Sequence, residues 1–164
     1  MKRLEEAILN LKGENRLVLG ELVPPIEGKD LEGRPVTITY DGGDRPTIIY
    51  VFSPQCGWCE RNSQNIKMLA KQLGDRYRLI GLSLSSKDLK EYAGAHGMEF
   101  PVYTDLPFSV TSAYKLSGTP ETIIISPEGR VVQAWPGAYT GQFQHEIENF
   151  FNVSLPGLSE QQKQ

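Results

Sequence analysis

Residues that bind metals or carry redox chemistry are scarce in this sequence. Its 164 residues include two cysteines and two histidines. A structural zinc site takes four ligands, so Cys56 and Cys59 would need both His96 and His145, which fall on separate predicted elements. We therefore expect no metal site and no cofactor. The scarcity directs attention to the two cysteines as a reactive pair.

An excess of basic residues is also absent. The chain has 17 Lys and Arg against 20 Asp and Glu, a net charge of −3. Nucleic acids and anionic membrane surfaces attract clustered Lys and Arg interleaved with aromatic residues. Since the sequence offers no such cluster, we expect neither as a partner.

Long apolar runs are missing as well. The longest, at residues 48–52 and 123–125, fall far short of the ~20 residues that cross a bilayer. Basic residues at 2 and 3 resemble the start of a signal peptide, but acidic residues at 5 and 6 stand where an apolar segment would follow. The sequence as given predicts a cytoplasmic protein, or an exported one whose export segment is not part of it.

The cysteines follow a short apolar stretch, Ile48-Ile49-Tyr50-Val51-Phe52, in the motif Cys56-Gly57-Trp58-Cys59. Five β-forming residues have the length of a strand covered on both faces. After Cys59 the apolar period changes to that of a helix, and Gly74 is a plausible stop signal. The helical face comprises Ile66, Leu69, Ala70 and Leu73. This pattern predicts a buried strand that delivers Cys56 to the start of a helix.

That placement favours thiol chemistry at Cys56. Unpaired N–H groups and the helix dipole stabilise a thiolate at a helix N-terminus, where thiol pKa values fall from about 8.5 to roughly 3.5–7.5. Cys56 is therefore the predicted nucleophile. Cys59, one turn further along, is predicted to be more covered and to resolve a mixed disulfide. Trp58 is forced toward the surface, where it either docks a partner or shields Cys59.

The rest of the chain alternates strand and helix patterns, which predicts an α/β sheet with parallel crossovers. We divide it into a lead-in at residues 1–19 with a short helix at 4–12, a domain at 20–152 that begins with a β-hairpin, and a flexible tail at 153–164. A last helix is expected from Thr140 to Phe151. Its predicted inner face comprises Phe143, Ile147, Phe150 and Phe151.

Three segments in this order resemble the thioredoxin fold and, more narrowly, the TlpA/ResA-type thiol–disulfide oxidoreductases of the redoxin group. They are residues 51–59, with the cysteine motif, residues 98–105, and residues 118–132, which begin Gly-Thr-Pro-Glu. The resemblance implies a central mixed sheet flanked by helices. It also implies disulfide exchange with protein substrates, an upstream redox partner that resets the cysteines, and, by analogy with exported relatives, a periplasmic or extracytoplasmic location. We expect a monomer.

The resemblance also implies substrate-binding residues beyond the cysteines. Thr119-Pro120 would be a cis peptide beside Cys56, and the backbone of Thr119 would pair with an extended partner chain. Glu121, directly after it, is an unusual charge near the thiols. Our hypothesis is that Glu121 disfavours the Cys56 thiolate or accepts a proton.

Two positions depart from the pattern of the family. Tyr50 stands six residues before Cys56, where true thioredoxins carry a buried Asp, and Asn62 stands where some ResA-like proteins carry a buried Glu. The usual proton acceptor for Cys59 is therefore missing from both expected places.

Two other functions use related scaffolds. A peroxiredoxin-like thiol peroxidase would have Thr or Ser three residues before the cysteine and Pro seven before it; Ser53 meets the first condition and Ile49 fails the second. A Sco-like copper carrier uses two cysteines and a distant His, but with three residues between the cysteines instead of two. The direction of electron flow is open.

Overall fold

Five strands form the central sheet. The computed structural model describes residues 16–41 and 43–159, so the helix predicted at 4–12 lies outside the described residues. The sheet strands are β3 (Thr47–Phe52), β4 (Arg78–Ser83), β5 (Val102–Tyr103), β6 (Glu121–Ile125) and β7 (Val131–Pro136). Their spatial order is β5-β4-β3-β6-β7. The helices are α1 (Gly57–Leu73), α2 (Leu89–Ala95), α3 (Phe108–Ala113) and α4 (Gly141–Phe151), and a 3₁₀ turn spans Gly74–Arg76.

The sheet is mixed, as the resemblance to the thioredoxin fold implies. β3 runs parallel to β4, and β4 runs parallel to β5. β6 is antiparallel to both β3 and β7. Together with its flanking helices this is the thioredoxin-type α/β architecture. β3 lies at the centre of the sheet. The crossover through α1 places β4 parallel to β3 on one side, and β6 pairs antiparallel with β3 on the other side.

β3 is buried along its whole length. Its alternating side chains supply two separate cores. Ile48 and Phe52 belong to the core beneath α1 and α4, and Ile49 and Val51 belong to the core on the α3 face. Burial on both faces explains why this strand is a continuous apolar run instead of an alternating one.

Among the helices of residues 16–41 and 43–159, none has the length and apolar character that crossing a membrane requires.

The predicted N-terminal β-hairpin is present as a separate two-stranded antiparallel sheet, β1 (Ile26–Lys29) with β2 (Pro35–Ile38). It is joined to the domain through Lys29 and Thr104, whose backbones exchange two hydrogen bonds of 2.8 Å. Ile26 is fully buried in the α3-side core. The hairpin therefore closes one face of the domain.

The predicted inner face of the last helix is only half right. Ile147 and Phe151 are buried, but Phe143 and Phe150 are 37% and 42% exposed. Phe150 lies edge-on against Trp135 and Phe151. Phe143, in the first turn of α4, is not part of the buried core beneath α1 and α4.

Residues 153–159, which follow α4, form no helix or strand, yet they lie against the domain. Leu155 is 7% exposed, and its N–H donates to Glu148. Ser159 is hydrogen-bonded to the backbone of Arg61. This part of the predicted tail is anchored, while the domain boundaries at 19/20 and 152/153 stay predictions.

Substitution of Gly28 tests how the hairpin is attached. A Cβ at Gly28 would lie 3.0 Å from the backbone oxygen of Thr104 and 3.1 Å from a methyl group of Leu106. Because Thr104 is held by its bonds to Lys29, it cannot retreat, and we expect Gly28→Ala to lower the free energy of unfolding by about 1–3 kcal/mol. Chemical denaturation measures this. Gly43→Ala, with nothing within 4 Å of its Cβ, is the control, and equal effects of the two substitutions would contradict the close approach.

Candidate active site

The cysteine pair lies where β3 ends and α1 begins. Cys56 is the N-cap residue of α1, with extended backbone angles (φ −92°, ψ 115°), and its sulfur accepts a hydrogen bond of 3.1 Å from the N–H of Cys59. Cys56 and Cys59 are joined by a disulfide, with their Cα atoms 5.2 Å apart. The sequence prediction of a cysteine at the helix N-terminus is therefore confirmed.

The two sulfur-bearing residues differ in accessibility. Cys59 is 1% exposed and belongs to the core beneath α1. Cys56 is only partly buried. The difference follows from helix geometry, since Cys59 lies one turn into α1 on its inward face, whereas Cys56 precedes the first turn. An incoming molecule can reach Cys56 and not Cys59.

The loop before β6 approaches the same sulfur. The Thr119–Pro120 peptide bond is cis. The carbonyl oxygen of Thr119 lies 3.6 Å from the sulfur of Cys56. The structure thus brings together the four residues that the sequence and the resemblance singled out at this site: Cys56, Cys59, Thr119 and Pro120.

An apolar cavity of about 220 Å³ opens beside this loop. Trp58 lines this cavity and is 53% exposed, as predicted for a surface ring. Phe143, Pro120, Pro136 and Ala138 also line it. Sequence reasoning missed Phe143, because its helical spacing places it with the core residues of α4. Its position in the first helical turn, next to the Gly137–Thr140 loop, was the available signal.

A buried polar network lies beneath Cys59. Asn62, fully buried, donates to the hydroxyl of Tyr50 (3.2 Å) and accepts from the backbone N–H of Tyr139 (3.0 Å) and from Asn65 (3.0 Å). Burial raises the pKa of Tyr50 far above its ordinary value, so its hydroxyl is neutral. The hydroxyl of Tyr139 is paired with that of Thr122 (2.6 Å). These positions therefore provide a neutral, hydrogen-bonded layer and no carboxylate.

The side chain of Glu121 lies on the face of the sheet opposite α1, the helix that carries the cysteines. Thr122 points toward Tyr139 on the α1 side of the sheet, so the strand alternation directs Glu121 to the opposite face. There it lines a cavity of about 550 Å³ with Lys115, Arg16 and Pro136. Burial raises the pKa of Glu121 from 4.5 to about 7. The carboxyl can therefore change its charge near neutral pH.

The histidines stay apart from the cysteines. His145 is exposed on α4 with its Nδ1 3.8 Å from Glu148, and the ring of His96 lies 4.1 Å from that of Tyr92. Within residues 16–41 and 43–159, no group of three His, Cys, Asp or Glu side chains could hold a metal ion.

The chain is similar to known proteins both in sequence and in fold. The sequence model of the AhpC/TSA family matches residues 19–134. The thiol-disulfide oxidoreductase ResA of Bacillus subtilis is 27% identical over 138 residues, which cover 80% of this chain and 68% of that protein.

Two crystal structures illustrate the shared fold. One is the thioredoxin domain of a thiol-disulfide oxidoreductase from Bacteroides vulgatus (TM-score 0.65, 21% identity, covering 83% of this chain and 99% of that one). The other is a putative thiol:disulfide interchange protein DsbE from Chlorobium tepidum (TM-score 0.67, 19% identity, covering 83% and 97%). At these identities the likeness establishes the thioredoxin-like fold.

Substitution of Asn62 tests the buried network. Asn62→Ala would leave the N–H of Tyr139, the amide of Asn65 and the hydroxyl of Tyr50 without this partner. Since a buried polar group that loses its partner costs about 1–3 kcal/mol, we expect a loss of about 2–4 kcal/mol in the free energy of unfolding. Urea denaturation of the oxidised protein measures it. Gln64→Ala, at an exposed position of the same helix, should change little, and comparable losses in both variants would refute the assigned role.

Proposed function

Because the chain belongs to the AhpC/TSA family, we propose that it is a thiol–disulfide oxidoreductase that exchanges disulfides with partner proteins through Cys56 and Cys59. ResA of Bacillus subtilis, named a thiol-disulfide oxidoreductase, supports this assignment. The single observation that carries the proposal is the disulfide at the start of α1, with one sulfur accessible and the other buried. A purely structural disulfide has no need of that asymmetry.

In the reducing direction, the cycle starts from the dithiol. The Cys56 thiolate attacks one sulfur of a partner disulfide, forming a mixed disulfide and releasing the other partner sulfur as a thiolate. Cys59 then gives up its proton and attacks Cys56, which expels the second partner thiolate and forms the Cys56–Cys59 disulfide. The two electrons lost by the pair reduce the partner, and an upstream dithiol restores them. In the oxidising direction every step reverses.

The local backbone favours Cys56 as the attacking sulfur. Its sulfur already accepts the Cys59 N–H at 3.1 Å, and the positive end of α1 adds to this stabilisation of negative charge. We therefore propose that the reduced Cys56 thiol ionises below the ~8.5 of free cysteine. Cys59, beneath the surface, serves as the resolving thiol.

The partner would lie between Trp58 and the Thr119–Pro120 loop. The carbonyl of Thr119 faces the reacting sulfur, so an extended partner segment could bond to this backbone. The apolar cavity between Trp58 and Phe143 would take the side chain next to the partner's cysteine. This arrangement favours protein or peptide substrates over small polar disulfides.

We also propose an extracytoplasmic location and a monomeric state, on the resemblance to exported TlpA/ResA-type proteins. Labelling of intact cells with a membrane-impermeant maleimide after reduction would mark Cys56 if the protein faces the outside. Sedimentation of the purified protein would measure its mass. Absence of labelling would refute the extracytoplasmic location. A dimer mass would refute the monomeric state.

Cysteine variants test the division of roles. Cys59→Ser removes the resolving thiol, so the mixed disulfide should accumulate, visible as a covalent adduct on non-reducing gels when the variant is mixed with a peptide disulfide. Cys56→Ser should form no such adduct, because Cys59 is buried. In wild type, turnover should be more than tenfold faster than in either variant. Equal trapping by both single variants would rule out the assigned order of attack.

Two measurements separate this function from its alternatives. A thiol peroxidase would consume peroxide through Cys56, but the hydroxyl of Ser53, the residue meeting one peroxidase condition, is hydrogen-bonded to Gln55 (3.1 Å). We expect slow reaction with peroxide and fast reaction with disulfides.

The reduction potential gives the direction of electron flow, since about −270 mV is typical of a reductase and about −120 mV of an oxidant.

Glu121→Gln tests the role of the neighbouring carboxyl. The folded pKa of about 7 lies above the ordinary 4.5, so the ionised form is disfavoured in the folded protein. Below pH 4.5 the carboxyl is neutral in both the folded and the unfolded protein, so it costs no stability. As the pH rises from 4.5 to about 7, ionisation favours the unfolded protein and the free energy of unfolding falls. Relative to Glu121→Gln, the wild type should lose on the order of 1–2 kcal/mol over this range, allowing for solvent screening.

The same variant tests coupling to the thiols. If the Glu121 charge disfavours the Cys56 thiolate, Glu121→Gln should shift the pH dependence of Cys56 alkylation to lower pH. Lys115→Gln, which alters charge in the same cavity, serves as the comparison. An alkylation profile unmoved by Glu121→Gln would remove this residue from the site.

A further inference from the structure

The segment of residues 153–159 lies along one face of α1, the helix that carries the cysteines. The N–H of Ser159 donates to the backbone oxygen of Arg61 (2.9 Å), and the N–H of Gly157 donates to the side chain of Asn65 (2.8 Å). Gln72 exchanges two hydrogen bonds with the backbone of Ser154. Helix positions 61, 65 and 72 lie close to one another around the axis, so the segment follows α1 for three turns.

Arg61 joins this segment to the active site. Its Nε donates to the carbonyl oxygen of Ser159 (3.2 Å), so the guanidinium is held in one orientation. The central carbon of the same guanidinium lies 4.7 Å from the centre of the Trp58 ring. A planar guanidinium over an indole face is a favourable cation–π contact. Ser159 and Trp58 are thus connected through a single side chain.

Trp58 gains little order from its other surroundings. Its side chain is 53% exposed, and an exposed indole loses rotamer freedom when a partner binds. The contact with Arg61 restricts the ring before binding. The restrained ring is the same one that lines the apolar cavity together with Phe143.

We propose that Arg61, held by the segment 153–159, is a positioning residue that fixes the Trp58 ring as a wall of the partner-binding cavity. The inference rests on the proposed function. Arg61 acts through Trp58 and does not touch the reacting sulfurs. Its loss therefore weakens the binding of a partner with an apolar side chain beside its cysteine, while the thiol chemistry is unchanged.

Kinetics with two oxidised substrates test this proposal. One is a peptide disulfide with leucine beside each cysteine, and the other is hydroxyethyl disulfide, which is too small to reach the cavity walls. Arg61→Ala should raise KM for the peptide about two- to fivefold, the range of an exposed cation–π contact, with kcat unchanged. Its rate with hydroxyethyl disulfide should equal that of the wild type. Arg61→Gln is the milder second variant and should change KM in the same direction.

A double-mutant cycle and a matched control identify the route of the effect. Lys71→Ala removes a cation from an exposed position of the same helix and should leave KM unchanged. If Arg61 acts through Trp58, Arg61→Ala should have no further effect in a Trp58→Ala background. Additive effects, an equal change in Lys71→Ala, or an unchanged KM in both Arg61 variants would overturn the proposal.

Acrylamide quenching measures the ring itself, independently of turnover. Trp135 is 4% exposed, so quenching reports on Trp58. Removal of the guanidinium that covers one ring face should increase the quenching constant in Arg61→Ala and not in Lys71→Ala. If the wild type neither reduces these disulfides nor, in its disulfide form, oxidises the corresponding dithiols, the proposed function fails. The quenching result would still decide whether Arg61 holds the ring, and an unchanged quenching constant would overturn that contact.

Discussion

The hydrogen bond from the N–H of Cys59 to the sulfur of Cys56 depends on one constraint: the chain must leave a fully buried strand and begin a helix within four residues. β3 ends at Phe52 and α1 starts at Gly57. Because β3 is held in register between β4 and β6, the N-terminus of α1 has little freedom to move. The position of the reactive sulfur is therefore fixed by strand pairing and core packing.

The layer beneath the cysteines determines where protons can go. Tyr50 and Asn62 satisfy each other and the backbone of Tyr139, all without a net charge. A carboxylate here would accept the proton of Cys59 but would also repel a thiolate. With a neutral layer, the proposed resolution step would pass the proton of Cys59 to the departing partner thiolate. The neutral network also fixes α1 to the Tyr139 loop, which leads into the helix that carries Phe143, so the site keeps its shape without a buried charge.

The sequence predicted what depends on local patterns and missed what depends on distant neighbours. The apolar run before Cys56 and the helical period after it were sufficient for β3 and α1. The helical period of α4 could not show that the core ends before Phe143. The flexible tail at residues 153–164 stays a prediction. The hydrogen bonds between Arg61 and Ser159 join residues 98 positions apart, and no local signal encodes such a contact.

In the proposed function, sulfur chemistry and partner recognition use different parts of the site. The chemistry would depend on Cys56, Cys59 and the backbone N–H of Cys59. Recognition would depend on Trp58 and Phe143, two exposed rings on different helices, and on the Thr119–Pro120 loop. Since exposed rings contribute little to the core, they can change without loss of the fold. Under the proposed function, substrate preference can therefore vary independently of the reactivity of the cysteines, except at Trp58, which lies between the two cysteines in the sequence.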